Sequence, residues 1–427
     1  MQARHPTFAR RRRLLIAALA GVACNAAWAD EPSPWYVGAS QAFTHDTNVY
    51  RLAEGVQPDD GKGRADNYWS TGLLGGFNQP YGRQRFYGTA NLNYNKYQDH
   101  ELSNTGYGVN AGWDWATIEK LSGNFNASAN RSLASLNGNA IQPSTGRNQV
   151  TTDQLSTNVR WGGSGALGLQ ADYAHSRVHY SDPSFVSSES SADSGSLGAF
   201  YNLSPDLRVG AAFRLTRTES PNAVQTPSGF QPDTVNGRNI DLSADWRYTA
   251  QTGVNARLSY TRQTHSNSFG SEFSGLTGAV SASYALTAKT GFTLAYNRDA
   301  GTNGSFFNAA PATTRNGSTS ASGLVQNSQV SDNVSLGANY AATAKINANA
   351  GVQYRRSKIG NDNAASAGGQ ANYNDTYRSA SLGATWAIAR AWQLGCNLSH
   401  ETRSTTSLLG YGYAANVAGC NAQFTLQ

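Results

Sequence analysis

From residue 35 to the C-terminus the chain alternates. Leu121, Gly123, Phe125, Ala127 and Ala129 interleave with Ser122, Asn124, Asn126, Ser128 and Asn130. Leu207, Val209, Ala211, Phe213 and Leu215 interleave with Arg208, Gly210, Ala212, Arg214 and Thr216, and Ile346 to Arg355 repeats the habit. A period of two is that of a strand with unlike faces, and no helical period persists. The pattern predicts 18 strands, near 35–50, 67–78, 83–97, 104–116, 120–132, 149–161, 165–180, 188–202, 207–219, 234–248, 252–265, 273–285, 289–300, 327–341, 345–358, 375–387, 391–402 and 413–427. The count falls to 16 if two weak segments are loop, the Ser-rich 188–202 first among them.

The connections alternate in length. Short turns at 79–82, 117–119, 162–164, 203–206, 249–251, 286–288, 342–344 and 388–390 separate longer polar links at 51–66, 98–103, 133–148, 181–187, 220–233, 266–272, 301–326, 359–374 and 403–412. The runs leading into the short turns end on an aromatic: Phe77, Trp115, Trp161, Tyr201, Trp246, Tyr284, Tyr340 and Trp386. Amphipathic rings at one recurring depth mark a membrane–water boundary. Together these features predict an all-β fold, a transmembrane antiparallel up-and-down β-barrel. Its short turns are periplasmic, its long loops are extracellular, and the eight aromatics form the periplasmic girdle. A soluble sandwich or a solenoid accounts for neither the aromatic register nor the alternating loops.

Composition agrees. The chain has 427 residues, a mean hydropathy of −0.50, 14% charged residues, 44 Gly and one Met. Past the N-terminus no apolar run reaches the roughly 20 residues of a spanning helix. A barrel needs none, because every second residue faces lipid. The first 29 residues read as a secretory signal: Arg10 to Arg13, an apolar segment from Leu14 to Ala23, and Ala27-Trp28-Ala29 before Asp30. The barrel is then expected over 30–427. The leader holds five Arg and no acid, so residues 30–427 hold 28 basic against 27 acidic residues. The pI of 9.1 is therefore no sign of nucleic-acid binding.

Strand parity places Arg85, Arg160, Arg208, Arg214, Arg247, Arg257 and Arg355 on the polar face, with Asp114, Asp172, Asp241 and Asp245. These are the expected lumen-lining residues. Arginine outnumbers aspartate in this set, which suggests a mildly anion-favouring pore. Arg–Asp pairs that brace the wall are the other reading. Cys396 and Cys420 flank the 403–412 link nearly symmetrically on apolar parity. Export permits a disulfide between them, and two small wall residues are the alternative.

No sign of catalysis emerges. HExxH, Walker A and Rossmann fingerprints are absent, and no cofactor or metal is expected. His175 and His179 share a strand face and are read as rim residues in preference to ligands. His45 and Asp46 are sequence neighbours and point to opposite faces, which disfavours a dyad.

More specific signals cluster in residues 35–130. Asp46-Thr-Asn48-Val-Tyr50-Arg51 closes the first strand, and Tyr81-Gly82-Arg83-Gln84-Arg85 leads into the third. Tyr94-Asn-Lys96-Tyr97 comes next, and Trp113-Asp114-Trp115 ends the fourth. With the closing Cys420-Asn-Ala-Gln-Phe424, this set resembles the EpsL-like outer-membrane β-barrel porins associated with exopolysaccharide operons. The resemblance implies export of exopolysaccharide across the outer membrane of a Gram-negative bacterium. Its implied partners are outer-membrane lipid, the secreted polysaccharide, a periplasmic polysaccharide-export protein and the outer-membrane barrel assembly machinery. Tyr87 and Tyr97 are then candidates for stacking on sugars, with packing within the wall as the equal alternative. The chain departs from many barrels in ending Phe424-Thr-Leu426-Gln427, with its aromatic displaced from the terminus. The same wall suits a general or solute-specific uptake porin, and long loops suit a structural barrel or adhesin.

Overall fold

The computed structural model describes residues 33–58, 61–134, 146–162, 166–226, 229–266, 272–300, 328–360, 372–406 and 412–427. The expected leader lies outside these residues, as does most of the longest loops. Eighteen strands form one antiparallel sheet. They are β1 (Trp35–Asp46), β2 (Asp66–Tyr81), β3 (Gln84–Tyr97), β4 (Asn104–Ala116), β5 (Leu121–Leu133), β6 (Gln149–Trp161), β7 (Leu167–Tyr180), β8 (Ser190–Ser204), β9 (Leu207–Thr226), β10 (Gly229–Thr249), β11 (Thr252–His265), β12 (Phe273–Ala285), β13 (Thr290–Ala300), β14 (Ser328–Ala341), β15 (Ile346–Gly360), β16 (Asn372–Ala387), β17 (Trp392–Thr405) and β18 (Tyr413–Leu426). Each strand pairs with its sequence neighbours, and β1 also pairs with β18 from Val37–Leu426 to Asp46–Val417. The sheet is thus closed, and every strand edge is satisfied.

Period-two alternation now acquires a direction. Leu197, Phe213, Ile240, Tyr260 and Leu276 are register partners across five successive strands, and each is at least half exposed. Leu294, Leu336 and Val352 continue the band across three more strands. This is the outer face. The opposite face carries Asn, Ser, Thr, Gln and paired charges. Along the strands the apolar parity points away from the barrel axis, and the buried apolar cluster among the described residues lies at the long-loop end, around Tyr50 and Leu52.

Several boundaries differ from expectation: β2 runs on to Tyr81, which shortens the turn expected at 79–82 to Gly82 and Arg83, and β15, β16 and β17 each extend two or three residues into the links expected at 359–374 and 403–412. β1 stops at Asp46, four residues early, because the chain turns there: Asp46 Oδ1 accepts the Asn48 N–H at 2.9 Å. Residues 220–233 are largely strand where a loop was expected, since β9 and β10 extend to within a few residues of each other. Pro221 and Pro232 argue locally against pairing. Here the ladder tolerates Pro232 at a register shift between Gln231 and Asp233. The Ser-rich segment is a full strand, β8, so the count is 18.

Candidate functional site: the lumen and its extracellular mouth

Two aromatic levels bound the outer apolar band. At the short-turn end, Phe77, Trp161, Tyr201, Trp246, Tyr284, Tyr340 and Trp386 all lie on the outer face at 43–49% exposure. Trp115 shares that face and is more covered, its indole lying over the space above Gly123. Trp35, Phe86, Trp113, Trp392 and Phe424 thicken the same level, with Phe86 stacked on Trp113 and Trp392 set 5.0 Å from Phe424. At the long-loop end a second level consists of Phe43, Trp69, Tyr94, Tyr173, Tyr260, Tyr296 and Tyr354. Parity alone does not separate these from other outward residues, so the alternation does not single them out. No helix among the described residues is long and apolar enough to cross a membrane. A closed wall with an aliphatic exterior between two aromatic levels crosses it with strands instead. The chain is an outer-membrane β-barrel.

The eleven residues expected in the lumen all sit on the inner face by register. Most are in polar contact with each other or with neighbouring amides. Arg214 forks onto Asp241, with Nε–Oδ2 at 2.7 Å and Nη2–Oδ1 at 3.1 Å. Arg257 approaches the same carboxylate at 3.6 Å and Asp299 at 4.0 Å. Arg85 lies 3.7 Å from Asp114, and Arg247 lies 3.8 Å from Asp206. Asp172 accepts hydrogen bonds from Asn158, Gln170 and Ser196. Arg160 donates to Gln170, and Arg208 donates to Asn202 while lying over the Phe200 ring. Asp245 stands opposite Arg208 in register, and Arg355 lies over Tyr377. The inner face also carries Asp46, Asp66, Asp233, Asp299, Asp375 and Glu401, which lie outside the expected set, together with two further bases, Arg51 on Asp46 and Glu401 and Arg403 on Asp375. The excess of arginine in that set is therefore balanced by acids, most of them near the extracellular end.

At that end the β1–β2 connection packs against the inner side of the strands beside it. Its residues Tyr50 and Leu52 are fully buried against Tyr97 and Leu102, with Val49, Tyr68 and Leu133 packed around them. Asn48 donates to the carbonyls of Leu52 at 2.9 Å and Ala414 at 3.0 Å, and accepts from the Leu52 N–H at 2.9 Å. Arg51 holds φ at 54°, the one non-glycine residue in the left-handed region among those described. From there its guanidinium pairs with Asp46 at 2.8 Å and with Glu401 of β17. The Tyr377 hydroxyl donates to the other Glu401 oxygen at 2.7 Å. Burial acts to lower the Arg51 pKa, but Asp46 and Glu401 outweigh it and hold the cation firmly charged. Tyr50 donates to Asp99, and burial together with that carboxylate pushes the phenol well above its ordinary range. Burial alone would raise the Asp99 pKa, yet the bonds from Tyr50, the Glu101 N–H and Lys62 leave it below the usual carboxylate range.

The two sugar-stacking candidates are wall residues. Tyr97 is buried and stacked on Tyr68, with centroids 4.5 Å apart. Tyr87 lies over Gly112 with the Arg85 guanidinium 5.0 Å from its centroid. Cys396 and Cys420 face each other directly in register and are joined as a disulfide on the outer face. His175 contacts Asp193 at 2.9 Å and His179 contacts Glu189 at 2.5 Å, so each imidazole is engaged by an acid. Among the described residues no three ligating side chains converge.

No protein-family model matches the chain, and no curated protein matches it. Similar solved structures include OpdQ of Pseudomonas aeruginosa, at 12% identity and a TM-score of 0.47, covering 93% of this chain and 99% of that one. OccK5 (OpdH) of the same organism has 12% identity and a TM-score of 0.45, covering 92% and 98%. The siderophore receptor PirA of Pseudomonas aeruginosa has 12% identity and a TM-score of 0.38, covering 93% and 82%. Likeness at this level says nothing of cargo.

Proposed function

We propose that this barrel is a passive porin that admits small polar solutes, with the segment around Arg51 setting the width of its mouth. One observation carries the reading: the inner face of a closed 18-strand wall is polar from the short-turn end to the loops. Barrels of this strand number enclose an aqueous channel. A solute shedding part of its hydration there meets amides, hydroxyls and paired ions, which offer many weak bonds and no deep trap. Fixed charges nearly cancel, so selectivity is weak. A slight anion preference would come from Arg160, Arg208 and Arg355, which have no acidic partner within ion-pair distance among the described residues. Liposome swelling tests the reading. Vesicles carrying the folded barrel should swell in isotonic arabinose or glycine and not in a long dextran. Failure to swell in any small solute would refute it.

Exopolysaccharide export is a second reading, favoured by one feature. The Asp46–Arg51 stretch, on which the EpsL-like resemblance rests, builds the mouth itself. An export barrel would have to release that lock to pass a glycan, and would receive it from a periplasmic export protein at the short turns. Deletion of the chain with wild-type polysaccharide in the medium would remove this reading and leave solute passage standing. The adhesin alternative falls on loops that lie mostly outside the described residues.

A further inference from the structure

The outer face above the upper aromatic level is not apolar. In four rising strands an outward Tyr is followed two residues later by an outward base: Tyr94 and Lys96, Tyr260 and Arg262, Tyr296 and Arg298, Tyr354 and Arg356. Two residues of strand rise about 6.7 Å, which carries the base from the ring level into the headgroups. Two of these four cations have an acid at hand. Arg298 lies 3.2 Å from Asp332, and Asp332 is the register partner of Arg356. Arg217 pairs with Glu219 at 2.6 Å.

Lys96 has no ion pair among the described residues and stands opposite Trp69, whereas Arg238 and Arg262 form a pair of bases. They are direct register partners on β10 and β11, both exposed, and among the described residues no ion pair engages either. The residue flanking Arg238 on β9 is Leu215, and the one flanking Arg262 on β12 is Ser274. Like charges directly opposite one another destabilise a ladder. Beside them the outer wall is hollowed by about 670 Å³, between Tyr173 and Leu215. Gly195 and Arg217 also line it, and a Cβ at Gly195 would meet nothing within 4 Å. Asp193 lines the hollow but is already hydrogen-bonded by Tyr173 at 2.7 Å and His175 at 2.9 Å.

We infer that Arg238 and Arg262 form a site for the phosphate of an outer-leaflet lipid headgroup, with the hollow over Gly195 receiving the adjoining sugar or acyl root. Two guanidiniums side by side match a phosphate, and the phosphate removes their mutual repulsion. Depth, hollow and charge all point to lipid as the occupant.

The test reconstitutes the full folded barrel in phosphatidylcholine vesicles. These contain a small fraction of diphosphoryl lipid A, or of the same glycolipid with its phosphates removed. Lipid retained on the protein is counted by native mass spectrometry after extraction. The wild type should keep the phosphorylated glycolipid and lose the dephosphorylated one. Arg238→Gln with Arg262→Gln should lower retention roughly tenfold or more, since each base near a charged surface contributes an appreciable share. Arg356→Gln, whose neighbour is Asp332, should not. Gly195→Leu fills the hollow and leaves both arginines, so it carries the test should the double variant fail to fold; retention should drop there too. Wild-type retention in a folded double variant or in Gly195→Leu would overturn the proposal. So would equal retention of both glycolipids, or full displacement by inorganic phosphate, which would mark a free-ion site.

Discussion

Arg51, in the connection after β1, is ion-paired with Glu401 on the inner face of β17, 350 residues further along the chain. The pair ties the first loop to the closing strands of the barrel. Both side chains are 14% exposed, so they lose most of their water and depend on one another. Glu401→Gln keeps the shape and removes the charge. It should free the loop, raising single-channel conductance and its open-state noise, while Arg51 keeps Asp46, so barrel stability falls by less than the roughly 3–5 kcal/mol of orphaning a buried charge. Unchanged current and noise would show that the loop does not set the mouth.

Acid should open the same mouth, and only strong acid. The Asp99 carboxyl is held below the usual range by Tyr50, the Glu101 N–H and Lys62, against the opposing effect of burial. A depressed carboxylate pKa means the stabilisation is complete above the ordinary carboxylate range. It is lost as pH falls through the lowered folded value. Protection of residues 47–58 against hydrogen exchange, relative to the intrinsic rate at each pH, should therefore hold from neutral pH down to about 4.5 and be lost below it. In Asp99→Asn, that protection should be low at all these values. A transition near neutral pH would contradict this assignment.

Asp241 stands between two arginines on the lumen wall. Its replacement by Asn leaves Arg214 and Arg257 facing each other, both largely shielded from bulk solvent. The barrel should lose about 3 kcal/mol in denaturant unfolding, and the reversal potential should move toward anions. A shift toward cations would mean that these side chains do not border the ion path.

Disulfide-linked peptides containing Cys396 and Cys420 should appear in non-reducing digests. The bond spans 24 residues across β17 and β18, whose pairing continues without it from Trp392–Phe424 to Arg403–Tyr413. Cys396→Ser with Cys420→Ser should therefore still close the barrel, at a loss of about 3 kcal/mol and with conductance unchanged. Failure of the double variant to fold would give the bond a larger role, in assembly itself.

The wall was legible because each strand states its own faces. β4, β6, β11 and β12 lie where alternation places them, and Phe77 to Trp386 mark one end because a short turn comes after each. The upper girdle was harder to read. Tyr260 and Tyr296 differ from inner residues only by parity, and long loops blur the strand ends that would set their height. Pro221 and Pro232 hid the extension of β9 and β10, since a bulge absorbs what local rules forbid. The mouth was illegible for a plainer reason. Tyr50, Asn48 and Arg51 belong to one short motif, but Tyr97, Glu401 and Ala414 meet them only after the sheet closes. Register between β1 and β18, which no local pattern encodes, brings them together.

Planar-bilayer recording of the purified, folded barrel bears most directly on a passive, water-filled pore. In symmetric molar KCl it should give discrete steps that are ohmic and scale with salt. In a tenfold KCl gradient the reversal potential should lie near zero, displaced slightly in the anion direction. A folded barrel, verified by heat-modifiable migration, that inserts and never conducts would contradict the pore. Strong cation selectivity would contradict the near-cancelled wall charge and the slight anion preference assigned to Arg160, Arg208 and Arg355.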